Sequence, residues 1–563
     1  MNYHHNKYFD VTYKLGVDSY SDRRQQIYAI SSNGDDNWVG YGQVNFDNVN
    51  SRDIYGDLIF RGEVKPSDKF GINYTVGHNV TSANFYENFQ RGRNLTVQNF
   101  YNLGNASELY ASNDTQRKFT TAVFGQLDFD YASQFYVSLT GRNEWSSTFG
   151  KSKNNFFYPS ANVSWVFSEL FSSDIVSFGK LRYAYSEAGI SPSAYRNQTY
   201  FGKPSFTDGF TNGLSFPYNG VNGYSYYNQI VGNKNLKPER VIGNEVGLNM
   251  KFLKQRFDLD LTVYNQKTED ILLDRPTAPA SGFTAEYTNS GQLRNRGVEV
   301  MISANAVKTQ NFSWVISLNW SKNVSKVLKL AEGVQELSLE SAFTGIGGYA
   351  IVGEPLGVLY GTKWQRNDKG DLIIGSNGIP LQEAAQGNIG NPYPKWLSNL
   401  RNTFTYRGIS LTALIDVRHG GAIWNGTYAR LNRIGVTKES ADRERTYVIP
   451  GVTASGEANT KEITALSYFS SYVGDGGAAA EQFVENVNWF RLREVGLSYR
   501  FKFKKYLNYV DVSFTSRNLY LNTNYKGVDP ETSLTGAGSN LQGFDYFNNP
   551  GSKSYIFGVN IGF

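Results

Sequence analysis

The sequence predicts an all-β fold, an antiparallel sheet of amphipathic strands rolled into a transmembrane barrel, and three observations predict it. Apolar and polar residues alternate with period two over segments of roughly 10 residues, the span of a tilted membrane strand. The connections between segments alternate between tight turns and long polar loops. No stretch supplies the ~18 consecutive apolar residues of a membrane helix, and mean hydropathy is −0.44, yet the 563 residues include 39 Tyr, 37 Phe and 9 Trp. That much aromatic surface excludes a disordered chain. A low mean hydropathy follows when half of each strand meets lipid and half meets water.

The alternation is clearest in four places. Phe257, Leu259, Leu261 and Val263 alternate with Asp258, Asp260 and Thr262, and Phe312, Trp314, Ile316, Leu318 and Trp320 with Ser313, Ser317 and Asn319. Leu497, Tyr499, Phe501 and Phe503 face away from Ser498, Arg500 and Lys502, and Tyr555, Phe557, Val559, Ile561 and Phe563 from Gly558, Asn560 and Gly562. The same pattern predicts strands over residues 7–20, 38–50, 53–65, 68–78, 118–131, 134–145, 157–168, 177–187 and 239–253. It continues over 255–265, 295–306, 311–322, 395–406, 408–419, 487–503, 509–519 and 554–563, about 17 strands with almost no helix.

Tight turns are expected at Pro66-Ser67, Leu253-Lys254, 307–310 and Arg407-Gly408, and long loops at 79–117, 188–238, 266–294, 323–394, 420–486 and 522–553. Short turns on one rim and long loops on the other are the plan of a bacterial outer-membrane barrel, with the short side periplasmic. A soluble sandwich or propeller turns more regularly and repeats a blade motif, and no such repeat is present. Counted back from Phe563, every long loop falls outside. The connector 21–37 alone falls on the periplasmic side, unless residues 24–31 hold a further strand. An odd count also does not close a single-chain bacterial barrel, so either a strand is unrecognised or leading strands lie outside the sequence. Tyr and Trp suit interface girdles, and the amphipathic last strand ending at Phe563 resembles the assembly signal of outer-membrane barrels.

Other chemistries lack their residues. Without cysteine there are no disulfides, thiols or most zinc patterns. His4, His5, His78 and His419 show no metal-binding spacing. Asn367, Asp368, Gly370 and Asp371 fail the calcium-loop pattern and read as a turn. Gly536, Gly538 and Gly347-Gly348 do not form a phosphate-cradling sequence, and Glu245 and Glu299 lie on strands with no catalytic partner in view. A net charge of +5, spread without basic runs, does not suggest nucleic acid. No enzyme activity, cofactor or metal is expected.

Residues 233–253, NKNLKPERVIGNEVGLNMKFL, lead into DLDLTVYNQKTEDILL, with Asn235, Leu236, Pro238 and Glu239 at the centre of the motif. Further motifs stand in order along the chain, two before this one and the rest after it: FFYPSANVSWVFSE from Phe156, GKLRYAYSEAG from Gly179, NRGVEV from Asn295, VGEPLGVLYG from Val352 and IGNPYPKW from Ile389. WFRLREVGLSY from Trp489 and SRNLYLNTNYKGVDPETS from Ser516, which holds Asn518, Tyr525, Gly527, Asp529 and Pro530, precede the closing YIFGVNIGF. This ordered set resembles the SusC/RagA family of TonB-dependent outer-membrane transporters. Residues 1–563 are then expected to be the C-terminal portion of a barrel of about 22 strands. The family's N-terminal extension, TonB-interacting segment and plug have no counterpart here; the alternative is a plugless barrel.

The resemblance implies active import of oligosaccharides or oligopeptides through the outer membrane, energised by TonB, with a SusD-like surface lipoprotein as lid. Partners would be that lipoprotein, TonB, outer-membrane lipid and other subunits of an outer-membrane complex, and not nucleic acid. Loops on a rigid scaffold carry recognition, so Tyr218, Tyr224, Tyr226, Tyr227, Trp364 and Trp424 are the candidates to stack on sugar rings or touch the lid. The alternative is that they pack the loops together. Two other functions stay open: a structural or assembly component without transport, and a plugless diffusion porin.

Overall fold

The computed structural model describes residues 1–32, 40–150, 154–202, 216–226, 230–343, 345–503, 506–536 and 538–563, with backbone alone for Tyr226 and Pro279. It divides into two compact units. One comprises Met1–Ser164, Ala184–Ile242 and Thr268–Ser290, the other Trp165–Tyr183, Gly243–Lys267 and Gly291–Phe563.

In the first unit, antiparallel ladders join Asn2–Asn6 to Phe9–Ile30, then Tyr41–Ser67, Phe70–Leu95, Ala106–Tyr131 and Phe135–Ser146 in succession. The period of two becomes rows running across the sheet. Val64, Ile72, Phe129 and Val137 are partners in one row, and Glu63, Asn73, Asp128 and Ser138 in the next. One face is thus apolar and the other polar, as a membrane strand requires.

In the second unit the ladder runs from Ala285–Lys308, from Gln292 onward, through Phe312–Lys329, Trp396–Tyr406, Ile409–His419, Trp489–Lys502 and Tyr509–Thr523 to Ser554–Gly562. Trp314, Phe404, Leu411, Leu497, Phe514 and Phe557 form one row six strands wide. The next row is Ser313, Thr405, Ser410, Ser498, Ser513 and Gly558. Leu411, Leu497, Phe514 and Phe557 are exposed, which in water would drive aggregation and in lipid is the favourable state.

Turns on one side are tight. Arg407 and Gly408, at φ 47° and 91°, link Tyr406 directly to Ile409, and positive φ at both central residues matches the right-handed twist of the flanking strands. Glycine reaches this region without a Cβ clash, which explains its place after Arg407.

Four expectations need correction. Residues 38–50 and 53–65, read as two strands, are one strand, Tyr41–Ser67: Ser51 and Arg52 pair without interruption with Tyr20 and Ser19 on one side and Phe85 and Asn84 on the other. Residues 24–30 extend the first long strand instead of adding another, and with both changes the connector that broke the alternation shortens to 31–40 and counts to the side of the long loops. The loop expected at 79–117 is mostly ladder, from Phe70 opposite Tyr131 to Leu95 opposite Ala106. Likewise 266–294 shrinks to 277–284 between two long strands. The physical reason is common to both: at 20 to 26 residues, these strands far exceed the roughly 9–11 needed to cross a bilayer. Beyond the lipid both faces meet water, so pairing continues while the apolar alternation that reveals a strand stops.

Substituting the two rows separates their environments. Leu497→Arg should destabilise the protein by about 2–4 kcal/mol and Ser498→Arg by less than about 1 kcal/mol, read from guanidine unfolding in lipid vesicles by tryptophan fluorescence. Equal losses would contradict the assignment of faces.

Candidate functional site

The long connectors of the second unit are folded. Ile346 and Leu359 from residues 330–395, Trp424 and Phe483 from 420–488, and Leu541 and Phe544 from 524–553 share one buried cluster. Trp424 sits 5.9 Å from the Phe544 ring and 5.7 Å from that of Phe343. A second cluster joins Ile423, Val487, Trp489 and Tyr525, and a third Ile374, Ile449 and Ile463. Polar loops cannot be held by a membrane they do not touch, so they bury their own apolar side chains.

Local signals shape this module. Asn425, fully buried, caps the helix Gly426–Arg433 by accepting from the Tyr428 N–H at 3.0 Å, while its own amide donates to Glu485 at 2.9 Å. Trp364 donates from Nε1 to Gln482 at 3.0 Å, and its backbone N–H donates to Glu481 at 3.0 Å. The Tyr360 hydroxyl donates to Glu336 at 2.7 Å, and burial followed by that carboxylate pushes its pKa up to about 12.

At the root of the module, charged groups fasten the connector 524–553 to the strands. Arg491 and Asp529, both nearly inaccessible, pair at 2.7 Å. Arg491 also lies 2.9 Å from Glu531, which pairs with Arg493 at 2.6 Å, and Arg493 pairs with Asp416 at 2.6 Å. Arg493 can reach because it is the extra residue of a bulge: Leu492 and Glu494 face Ile415 and Leu414 directly, and the register slips there against the strand Tyr509–Thr523 as well. Opposite it, Asn518 takes a left-handed φ of 55°, accepts from Arg493 at 3.1 Å and donates to the Ser552 carbonyl at 2.9 Å.

The remaining motif residues complete the clasp. Tyr525, buried, donates from its hydroxyl to Asp545 at 2.6 Å, and burial, then this carboxylate, raises its pKa strongly. Gly527 lies against that ring, where a Cβ would come within 2.3 Å of it. Asp529 accepts from the backbone N–H groups of Glu531 at 3.0 Å and Gly551 at 3.2 Å, and Pro530 beside it is buried.

In the first unit the motif around Asn235 pins another connector. Asn233 accepts from the Asn235 N–H at 2.8 Å, Leu236 and Pro238 are buried, and Lys237 exchanges hydrogen bonds with Asn289 at 2.9 and 2.8 Å. Glu239 accepts from the Leu272 N–H at 2.9 Å. Arg240 pairs with Glu187, which also accepts from the Tyr185 hydroxyl. Upstream, Tyr195 holds a left-handed φ of 64°, a conformation costing about 1–3 kcal/mol that the surroundings must enforce.

The candidate aromatics divide. Tyr218 and Tyr224 are 52% and 76% exposed, and Tyr224 meets Phe201 edge-on at 5.3 Å. Tyr226 pairs through its backbone with Phe201, and Tyr227 lies outside the described residues. Trp364 and Trp424, expected to stack on a ligand, are 1% and 6% exposed and belong to the core of the folded connectors. The alternative role, packing loops together, describes these two. Sequence reasoning missed Arg491 and Arg493, whose carboxylate partners lie 38 residues away at Asp529 and Glu531 and 77 away at Asp416, and Tyr195 and Phe201, which sit in an aromatic run without periodicity. Among the described residues no cluster of His, Asp or Glu is arranged to hold a metal.

A family model described as TonB dependent receptor-like, beta-barrel matches residues 1–454. TonB-dependent receptor P3 of Formosa agariphila is 25% identical over 503 residues, covering 82% of this chain and 47% of the relative. TonB-dependent receptor SusC of Bacteroides thetaiotaomicron is 23% identical over 486 residues, covering 81% and 44%. The structure of the RagAB peptide importer in its open-open state matches with a TM-score of 0.76 at 18% identity, over 99% of this chain and 59% of that one. The chain spans about half the length of the curated relatives it matches.

Breaking the buried pair should release the last connector. Arg491→Met leaves Asp529 uncompensated and should cost about 3–5 kcal/mol, while Arg491→Met with Asp529→Leu recovers part of the loss. Limited proteolysis within residues 524–553 reports it: faster cleavage in the single variant than in the double supports the clasp, and equal rates contradict it.

Proposed function

As the chain belongs to the TonB dependent receptor-like β-barrel family, it is a β-barrel protein of the outer membrane, and we propose that it serves in active import of oligosaccharides or oligopeptides across that membrane. In this reading transport is energised through TonB, and a SusD-like surface lipoprotein closes over the connectors. The observation that carries it is the folded module built from residues 330–395, 420–488 and 524–553, with its buried core and its charged clasp at Arg491 and Asp529.

A docking surface made of loose loops would lose ordering entropy on each association. Connectors that already bury their aromatics and cap their helices avoid that cost. A diffusion pore needs no such surface, so the module favours a partnered, gated importer over a simple channel. The names of the relatives agree in kind: SusC is a TonB-dependent receptor and RagAB a peptide importer.

The test is uptake by cells. Deleting the gene should abolish accumulation of at least one radiolabelled oligosaccharide or oligopeptide, and a protonophore should abolish it equally in the intact strain. A co-purifying surface lipoprotein is expected from gently solubilised membranes. Uptake that survives the protonophore, or steady ion conductance of the purified protein in planar bilayers, would overturn the reading.

A further inference from the structure

Within the second unit, the strand Phe312–Lys329 and its neighbour Ala285–Lys308, from Gln292 onward, carry cations on the face that meets lipid. On the first of these strands Phe312, Trp314, Ile316, Leu318 and Trp320 form the apolar side from 312 to 320, within the roughly 9–11 residues that cross a bilayer. Lys322, Val324 and Lys326 continue that side and are exposed. The neighbouring strand sets Val298 opposite Lys322, Arg296 opposite Val324 and Arg294 opposite Lys326. Cations and valines are thus interleaved across the pair.

Arg296, Val298, Lys322 and Val324, with Val246 and Val263 from the two preceding strands, line a groove of 490 Å³, inside the ~300–1,000 Å³ range of small-ligand sites. Glu245, Tyr264 and Gly297 also border it, each standing in sequence between two lining residues, as the floor of a groove on the opposite face of the sheet does. The groove therefore opens on the valine side, where Val246, Val263 and Val324 are exposed. We propose that it is a binding site for a phosphorylated lipid of the outer leaflet, with an acyl chain along the valines and the phosphate between Arg296 and Lys322. The inference is independent of what is imported.

The depth is that of a headgroup. A tight turn at 309–311 joins the two strands at one end and the long connector 330–395 leaves from the other, so Lys322 lies at the outer edge of the apolar band. Neighbouring rings mark the same level. Trp320 pairs with Ser398 and Ser398 with Val417; at the next pair facing the same way, Trp396 stacks on His419 at 5.2 Å. On the other flank the Tyr183 hydroxyl donates at 2.9 Å to Asn244, which also lines the groove. Rings with a polar tip collect where lipid gives way to water.

Charge chooses the headgroup. A basic side chain facing lipid is costly at the midplane and tolerated at the interface, where an anion can meet it. Arg296 and Lys322 are diagonal neighbours across the strand pair, ~7–8 Å apart at the backbone, a span that two long side chains close around one phosphate. Arg296 donates from Nε to Asn265, another lining residue, at 2.9 Å. This neutral partner orients the guanidinium without cancelling its charge, and the planar fork of N–H donors suits phosphate oxygens taken in pairs. Arg294 and Lys326, the next pair on this face beyond Arg296 and Val324, extend the basic surface away from the lipid.

The valines decide between a lipid and a free anion. Inorganic phosphate would satisfy Arg296 and Lys322 and leave the apolar groove uncovered, while an uncharged lipid would cover the valines and leave the cations without an anion. A lipid whose headgroup carries net negative charge meets both requirements, by the same attraction that draws basic segments to anionic membrane surfaces. The strand ladder already fixes the backbone beneath both halves of the site, so binding does not have to order it.

The experiment uses the protein purified in detergent from its native outer membrane and washed of carried lipid on an ion-exchange column. Native mass spectrometry then follows titration with diphosphoryl lipid A, with lipid A stripped of both phosphates, and with inorganic phosphate. Diphosphoryl lipid A should bind saturably and roughly tenfold or more tightly than the stripped form, and an equal concentration of inorganic phosphate should not displace it. Arg296→Gln with Lys322→Gln should bring its affinity to within about twofold of the stripped form, whereas Lys308→Gln with Lys502→Gln, which removes the same charge near the tight turns, should leave it within about twofold of the unaltered protein. Heat-modifiable gel mobility checks folding; if the variant at the groove does not fold, Lys322→Gln alone decides by a loss of roughly threefold or more. Equal affinity for the two lipids, unchanged affinity in the variant at the groove, an equal loss in the variant at the other rim, or displacement by inorganic phosphate would overturn the proposal.

Discussion

The cross-strand ladder is the constraint on which the rest of this structure depends. In lipid no water satisfies a peptide N–H or C=O, so each must find a partner within the sheet. Once neighbouring strands are paired, side chains fall into rows, and the row through Trp314, Leu497 and Phe557 is apolar while the row through Ser313, Ser498 and Gly558 is small and polar. Single-residue slips would exchange the faces of a whole strand. They are confined to bulges such as that at Arg493, where the extra residue is used to aim a side chain.

Beyond the lipid the same ladder loses its reason to alternate but not its hydrogen bonds. Strands such as Phe70–Leu95 therefore continue into water as paired sheet. Where strands end, the chain solves a second problem: long polar connectors have to be ordered without membrane support. The solution is a set of small cores around Trp424, Tyr525 and Ile449, joined to the sheet through Arg491 and Arg493.

What the sequence made legible follows the same division. Inside the lipid, alternation is clear at 312–320 and 554–563; the strand Ser554–Gly562 is where the pattern places it, and the strand Phe312–Lys329 starts there and runs seven residues past the expected end. Outside it, residues 79–95 and 106–117 carry no apolar alternation, so only pairing revealed them as strand. Motif residues such as Leu236, Tyr525 and Asp529 were recognisable as positions, but their work was not: Asp529 acts through Arg491 and Tyr525 through Asp545, and such pairings are set by tertiary contacts that spacing along a chain does not encode. Trp364 and Trp424 misled for the opposite reason, because a tryptophan in a polar loop reads as exposed until a core is found to bury it.

The central claim is that the connectors are folded parts of the protein, with buried cores of their own. Amide hydrogen exchange of the protein in its membrane, followed by mass spectrometry, tests it most directly. The account predicts that peptides covering Trp424, Phe483, Tyr525 and Phe544 exchange over minutes to hours, as local opening of a packed core requires, comparably with the strands Ile409–His419 and Trp489–Lys502. Exchange of those connector peptides complete within seconds, while the strands stay protected, would contradict it.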